Sequence, residues 1–362
     1  MKRRIISLCM ILMLLLMGCG KEKELPEEKI VFNFFGYSLC KDGIINTMSE
    51  VLTITDYNSG VTVPLCDRPN CTHEPFSGSN ENPQCNAAFS SRVITAFLYK
   101  DNLYVFLDDG MNHTTVYMAN NTGGERRKIA EADYVCNYYN STFSNGKLYF
   151  IGESIEFSDS GVMKQERERF VGSFDVENQE FERLTEPDKE LGNMVLCNVV
   201  GDEVYYWEYI YIENGKQVAV PKDLMNAEIV LYNIAKNMET GEERFFLDTN
   251  ARSCIVTDEG NIYYEMEKNG QYEYWKKEVT GEETLLFTTD KKKPIKPIFD
   301  GEWILPEDLS EFKKSFSVQS VYEDIVLVLD ENGKSGLITV DNYHNDIEEI
   351  LYLDFQEVGI TK

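Results

Sequence analysis

A short unit recurs along this chain and constrains its fold more than any other feature. The unit runs polar turn, aliphatic residue, then two aromatics or a near variant. The copies are Asn102-Leu103-Tyr104-Val105, Lys147-Leu148-Tyr149-Phe150, Glu203-Val204-Tyr205-Tyr206 and Asn261-Ile262-Tyr263-Tyr264, with Asp324-Ile325-Val326-Leu327 as a weaker fifth. Aromatic and β-branched residues suit a pleated, half-buried surface, and runs this short bounded by Gly, Asn and Asp read as strands. A second repeat follows the first: Thr122-Gly123-Gly124-Glu125, Thr240-Gly241-Glu242-Glu243 and Thr280-Gly281-Glu282-Glu283 are one turn used three times, and Ser59-Gly60 is a degenerate copy. Each turn lies between two strand-like runs. One unit is therefore four strands: a lead-in, the Tyr-bearing strand, a third, a turn and a fourth. Four-stranded units recurring every ~40–50 residues predict the blades of a β-propeller.

Taken in order, the units fall at 30–65, 92–130, 133–186, 190–248, 251–288 and 294–353. The fold expected is all-β, a propeller of six four-stranded blades, with seven left open because the first is poorly marked. Asn269-Gly270 predicts a tight type I′ turn. Pro306 to Lys314 predicts a short helix, and 354–362 a strand closing the ring. Residues 66–91 interrupt the pattern: rich in Pro, Asn, Ser and Cys and without periodicity, they read as an insertion. The inserts at about 152–168 and 208–227 join second to third strands, and 66–91 joins one blade to the next. Such connections leave a propeller on one face, so all three are expected around one mouth, where function tends to reside.

The first 18 residues read as a leader. Lys2, Arg3 and Arg4 precede an apolar run from Ile5 to Met17, too short to span a bilayer and suited to secretion. The run ends in Leu16-Met17-Gly18-Cys19, which closely resembles a bacterial lipobox. That resemblance implies cleavage before Cys19, acylation of its thiol (diacylglycerol and palmitate), and a protein lipid-anchored to the bacterial cell membrane, facing outside the cytoplasm. Two acyl chains suffice for stable anchoring where one is marginal. Residues 19–29 are a charged tether, and 30–362 form the propeller domain.

The formal net charge is −27. Such a surface repels phosphate backbones and excludes nucleic acid as a partner. Among nine cysteines, Cys9 lies in the leader and Cys19 is the lipid site. The most distinctive pattern is Cys66-Asp67-Arg68-Pro69-Asn70-Cys71-Thr72-His73 followed by Cys85. Three thiols and an imidazole can close a tetrahedral structural zinc site, and such sites staple loops that lack a core. A Cys66–Cys71 or Cys66–Cys85 disulfide is the alternative. Cys136, Cys197 and Cys254 each fall in a lead-in strand, where free cysteine packs as a small hydrophobe.

The usual catalytic constellations are missing from the sequence. There is no Gly-x-Ser-x-Gly elbow, no His-Glu-x-x-His helix and no phosphate-binding loop with Lys-Ser/Thr. His113 reads as a turn residue, and the polar stretch Asp341 to Asp346 as a plain turn. Trp207, Tyr209 and Tyr211 share one face of an extended strand and are candidate ligand-binding aromatics, with packing between blades as the competing use.

Units running Gly, one or two polar residues, aliphatic, Tyr-Tyr, as in Gly201-Asp202-Glu203-Val204-Tyr205-Tyr206-Trp207 and Gly260-Asn261-Ile262-Tyr263-Tyr264, resemble those of bacterial lipid-anchored propellers akin to the six-bladed low-density-lipoprotein-receptor type. The Tyr-Trp-Thr-Asp signature of the receptor group is absent, so the resemblance implies fold rather than ligand. The function expected is a membrane-anchored binding or scaffold module for an envelope protein or glycan. A surface enzyme on carbohydrate or peptide, with acids at the mouth, is the alternative.

Overall fold

The computed structural model describes residues 28–32, 36–48, 51–80, 83–110, 112–157, 163–188, 193–218, 221, 228–247, 251, 253–290, 296–297, 303–304, 316–330, 332–345, 347 and 349–353. Cys19, the stretch Pro306 to Lys314, the hairpin tip 158–162 and the segment 354–362 lie outside them.

The chain is all-β with a propeller arrangement. The first four-stranded unit is β2 (Tyr37–Cys40), β3 (Gly43–Asn46), β4 (Thr53–Thr55) and β5 (Thr62–Pro64). The second is β6 (Arg92–Tyr99), β7 (Asn102–Asp108), β8 (Thr114–Asn120) and β9 (Arg127–Ala132). The third is β10 (Val135–Ser144), β11 (Lys147–Phe157), β12 (Met163–Asp175) and β13 (Glu180–Arg183). In the fourth, β14 (Asn193–Val200), β15 (Glu203–Glu213), β17 (Glu228–Asn237) and β18 (Glu243–Phe245) are joined by the short hairpin strand β16 (Lys216–Val218). The fifth is β19 (Ser253–Val256), β20 (Ile262–Lys268), β21 (Gln271–Lys277) and β22 (Glu283–Thr289). A two-stranded ladder, β23 (Lys296–Pro297) and β24 (Trp303–Ile304), precedes the last unit: β25 (Phe316–Tyr322), β26 (Ile325–Asp330), β27 (Ser335–Thr339) and β28 (Leu351–Tyr352). All strand pairs are antiparallel, and every copy of the Tyr motif opens a second strand. The repeated turns lie between third and fourth strands, with Gly60, Gly123, Gly241 and Gly281 all at positive φ. Asn269 and Gly270, at φ 55° and 76°, form the expected two-residue turn between Lys268 and Gln271.

Two features depart from expectation. The strand β1 (Val31–Phe32) lies outside the first unit's own sheet order: Val31 pairs with both Thr142 of β10 and Leu39 of β2, joining the first and third units into one nine-stranded sheet. Residues 340–344, expected as part of a plain turn, form a short helix, α1 (Val340–His344). The Thr339 side chain caps it, accepting from the Asn342 N–H, and satisfies a donor that the first turn leaves open. The described residues include no helix long and apolar enough to cross a membrane.

The units bury their faces against each other. Val204, Tyr206 and Ile210 of β15 share a buried cluster with Tyr149, Ile151 and Val171 of the third unit. The alternate residue Tyr205 packs the other way, with Cys254, Val256 and Tyr264 of the fifth. Leu39 and Ile44 meet Tyr322, Leu327 and Leu337, so the last unit packs on the first. The densest cluster centres on Phe97, whose ring lies 5.3–6.0 Å from those of Phe32, Tyr104, Phe106 and Phe143. In the third unit two fully buried rings cover cross-strand glycines: Phe170 lies opposite Gly152 and Phe150 opposite Gly172. A Cβ on Gly152 would sit 2.2 Å from the Phe170 ring, so any side chain there would have to displace that buried ring.

Candidate metal centre

The first and second units differ in a way that creates the site. Strands β2 to β5 have four, four, three and three residues, against eight, seven, seven and six for β6 to β9. The Leu98 N–H donates to Cys40 Sγ at 3.4 Å, which ties the end of β2 to the end of β6. The shorter sheet therefore leaves much of the second unit's face uncovered, and the insertion supplies the cover. Leu65, Cys85, Ala87, Ala88 and Phe89 are buried in the same cluster as Phe97 and Phe106.

Both ends of the insertion are fixed to Leu52: its N–H donates to the Ala87 carbonyl (2.8 Å) and its carbonyl accepts from the Leu65 N–H (2.9 Å). From there the loop runs along the seam to the 121–126 turn. Asp67 accepts from Thr122 Oγ1 (2.9 Å) and Asn86 Nδ2 (2.6 Å). Arg126 donates to the Ala88 carbonyl (2.7 Å) and stacks over Phe89. Gly123, at φ +81°, approaches so closely that a Cβ would sit 2.2 Å from the Leu65 carbonyl oxygen. This narrows the expectation of a shared mouth. The described contacts of the insertion reach a third-to-fourth strand turn, at the opposite end from the second-to-third connections that carry the other two inserts.

Between its anchored ends the insertion has little regular structure; one isolated bridge, Ser77 to Asn80, closes its exposed tip. The chain brings four donors together there: one ligand atom each from Cys66, Cys71, His73 and Cys85, all within 4.8 Å of one another. Positive φ at Asn70 (57°) and His73 (55°) makes the two reversals that turn Cys71 and His73 inward. The His73 N–H donates to Cys71 Sγ (3.4 Å). His73 Nδ1 lies 3.5 Å from Cys85 Sγ. Zinc bonds of ~2.3 Å to sulfur and ~2.0 Å to nitrogen at tetrahedral angles place such atoms about 3.6 Å apart, so this edge already fits. The other pairs lie within 4.8 Å, so no edge has to close by more than about 1.2 Å to reach tetrahedral spacing.

The electrostatics are uneven across the cluster. Burial pushes the Cys66 thiol up, but the backbone N–H groups of Arg68 and Asn86, with Cys71 and Cys85, more than offset it and hold its pKa below the ordinary thiol value. Burial pushes the Cys85 thiol up to about 12, and the nearby Cys66 adds to the rise. A cation bound among these donors would favour thiolate over thiol.

The aromatic candidates form a ladder elsewhere. Trp207 stacks on Tyr209 (5.9 Å, 22°), Tyr209 meets Tyr211 edge-on (5.2 Å, 79°), and the two hydroxyls are 3.2 Å apart. All three are partly buried, and Trp207 also packs on the fourth–fifth seam. The structure thus places them side by side, with Trp207 engaged in the inter-unit packing. Between Trp207 and Tyr209, Glu208 takes the other face. Burial, with Asp188 and Glu243 adding, pushes its carboxyl up to about 7. Nothing in the sequence marks Glu208, to which the packing of the third unit brings Asp188. His113 is half-buried, its ring nitrogens 3.7 Å from Asp109 and 3.6 Å from Glu131.

No family model matches this chain, and no curated protein matches it at the threshold of significance. Similar solved structures include TolB from Acinetobacter baumannii (11% identity, 87% of this chain, 61% of that one, TM-score 0.36). An oligogalacturonate lyase in complex with manganese is also similar (14%, 79% and 69%, TM-score 0.41). So is the uncharacterized protein lmo1340 from Listeria monocytogenes EGD-e (11%, 87% and 81%, TM-score 0.39). The chain thus spans less than two thirds of the TolB chain that it matches.

Proposed function

We propose that this protein is a lipid-anchored binding module outside the bacterial cytoplasm, in which a structural zinc ion held by Cys66, Cys71, His73 and Cys85 stiffens the insertion. The observation that carries this reading is the four-way convergence of those donors within 4.8 Å on a stretch with almost no ladder of its own. Four protein ligands fill a tetrahedral ion and leave no open position for water or substrate, which argues for a structural rather than a hydrolytic metal. A disulfide would use two of the thiols and leave the imidazole without a partner of its kind. The anchor rests on the sequence Leu16-Met17-Gly18-Cys19, and the ligand surface on the Trp207, Tyr209 and Tyr211 ladder, suited to an apolar face of a glycan or peptide.

Two experiments test it. Cells expressing the protein are labelled with palmitate analogue and fractionated: wild type should carry label in the membrane, and Cys19→Ala should lose both label and membrane association. Purified protein is then used to capture envelope glycans and proteins. Combined Tyr209→Ser and Tyr211→Ser, which leave the seam-packing Trp207 in place, should abolish capture while zinc content stays at the wild-type level. Unlabelled wild type, or capture indifferent to the ladder, would overturn the reading.

A further inference from the structure

A second pair of thiols lies at the seam of the fourth and fifth units. Cys197 is on β14 and Cys254 on β19, the lead-in strands of successive units, and their Sγ atoms are 3.6 Å apart. The Cys254 thiol donates to Asn233 Oδ1 at 3.4 Å, which fixes its rotamer. Trp207, Ala235 and Phe246 pack around the pair. Other buried cysteines differ: the Cys40 sulfur bonds the Ser38 carbonyl and the Leu98 N–H, and Cys136 bonds Thr114. A sulfur–sulfur bond of ~2.05 Å needs these two atoms to close by about 1.5 Å, a movement of side-chain torsions.

We propose that Cys197 and Cys254 are a redox pair that forms a disulfide between successive units of the propeller. The oxidant is a small-molecule or protein disulfide, R–S–S–R. One thiol of the pair loses its proton and attacks one sulfur of R–S–S–R, releasing the first R–S⁻. The other then loses its proton and attacks the sulfur of the first, releasing the second R–S⁻. One protein disulfide forms, two electrons pass to the oxidant, and two protons leave. The bond spans 57 residues of sequence, most of the fourth unit. It removes conformations from the unfolded chain rather than adding contacts to the folded one, so the expected rise in melting temperature is roughly 4–8 °C.

The test uses the full-length protein in zinc-replete buffer, equilibrated with reduced or oxidised glutathione. Free thiols are alkylated in denaturant, and the protein is digested without reductant and mapped by mass. The expected result after oxidation is a linked pair of peptides carrying Cys197 and Cys254, with Cys40 and Cys136 alkylated under both conditions. The melting temperature should rise by the amount above in wild type, and Cys197→Ser and Cys254→Ala should show no such rise. The wild-type map requires no substitution and so does not depend on a variant folding. Cys197 and Cys254 both alkylated after oxidation, or a glutathione adduct that persists on either, would overturn the proposal.

Discussion

The two sulfur-rich regions hold their thiols together by opposite means. Cys254 is paired with Tyr264 in its ladder and Cys197 sits at a bulge between the paired Leu196 and Asn198, so strands position both sulfurs. Cys66, Cys71, His73 and Cys85 sit on a stretch with one isolated bridge, at its tip, among the described residues, and Asn70 and His73 hold it in a left-handed conformation that side chains other than glycine rarely adopt. Regular structure makes a thiol pair an option for the molecule. In the irregular insertion the donors converge without a ladder beneath them, which is where a bound ion would add most to the order that the anchored ends already supply.

That contrast can be broken most forcefully at Cys85, which belongs both to the ligand set and to the buried cluster under the second unit. Cys85→Ser, or removal of metal by a chelator, should lower stability by on the order of 3–5 kcal/mol, less than a whole zinc finger loses because only the insertion depends on the ion. Denaturant melts with and without zinc measure it; equal loss in both would mean that Cys85 acts by packing alone. Next comes Gly123→Ala, expected to cost roughly 1–3 kcal/mol through strain at its φ and the clash with the Leu65 carbonyl. It should also raise the alkylation rate of the insertion cysteines while leaving Cys197 and Cys254 unchanged. Thr122→Ala removes an exposed bond to Asp67 and should cost about 0.5 kcal/mol. A pH-dependent effect lies at Glu208, on the face of β15 opposite Trp207. Its pKa of about 7 in the fold exceeds the ordinary 4.5, so the folded state holds this proton more tightly than the unfolded chain does. Its contribution is therefore constant below about pH 4.5, and stability declines as pH rises from there through about 7. Glu208→Gln should flatten that decline in a melting series across pH 5 to 8.

Much of this was legible in the sequence. The Tyr motifs and Thr-Gly turns mark second strands and outer turns because local pattern and φ preference decide them. The Cys-His spacing likewise drew attention to the donors that the fold brings together. Three things were not legible, each for a reason of long-range packing. The meeting of Cys197 with Cys254 depends on how two units abut, and each alone reads as a small core residue. The path of the insertion depends on short strands in the first unit and on Gly123 admitting the Leu65 carbonyl. The helix at Val340–His344 has a composition that suits a turn, and its Thr339 cap tips the balance.

The account rests on the insertion being a metal site, and the metal itself is the direct measurement. Protein purified without added metal should carry one zinc per chain by elemental analysis. X-ray absorption should give three sulfurs at ~2.3 Å and one nitrogen at ~2.0 Å. Cys71→Ser and His73→Ala should each lose the ion. A zinc-free protein, or one in which Cys66 is found disulfide-bonded to Cys71 or Cys85, would contradict it.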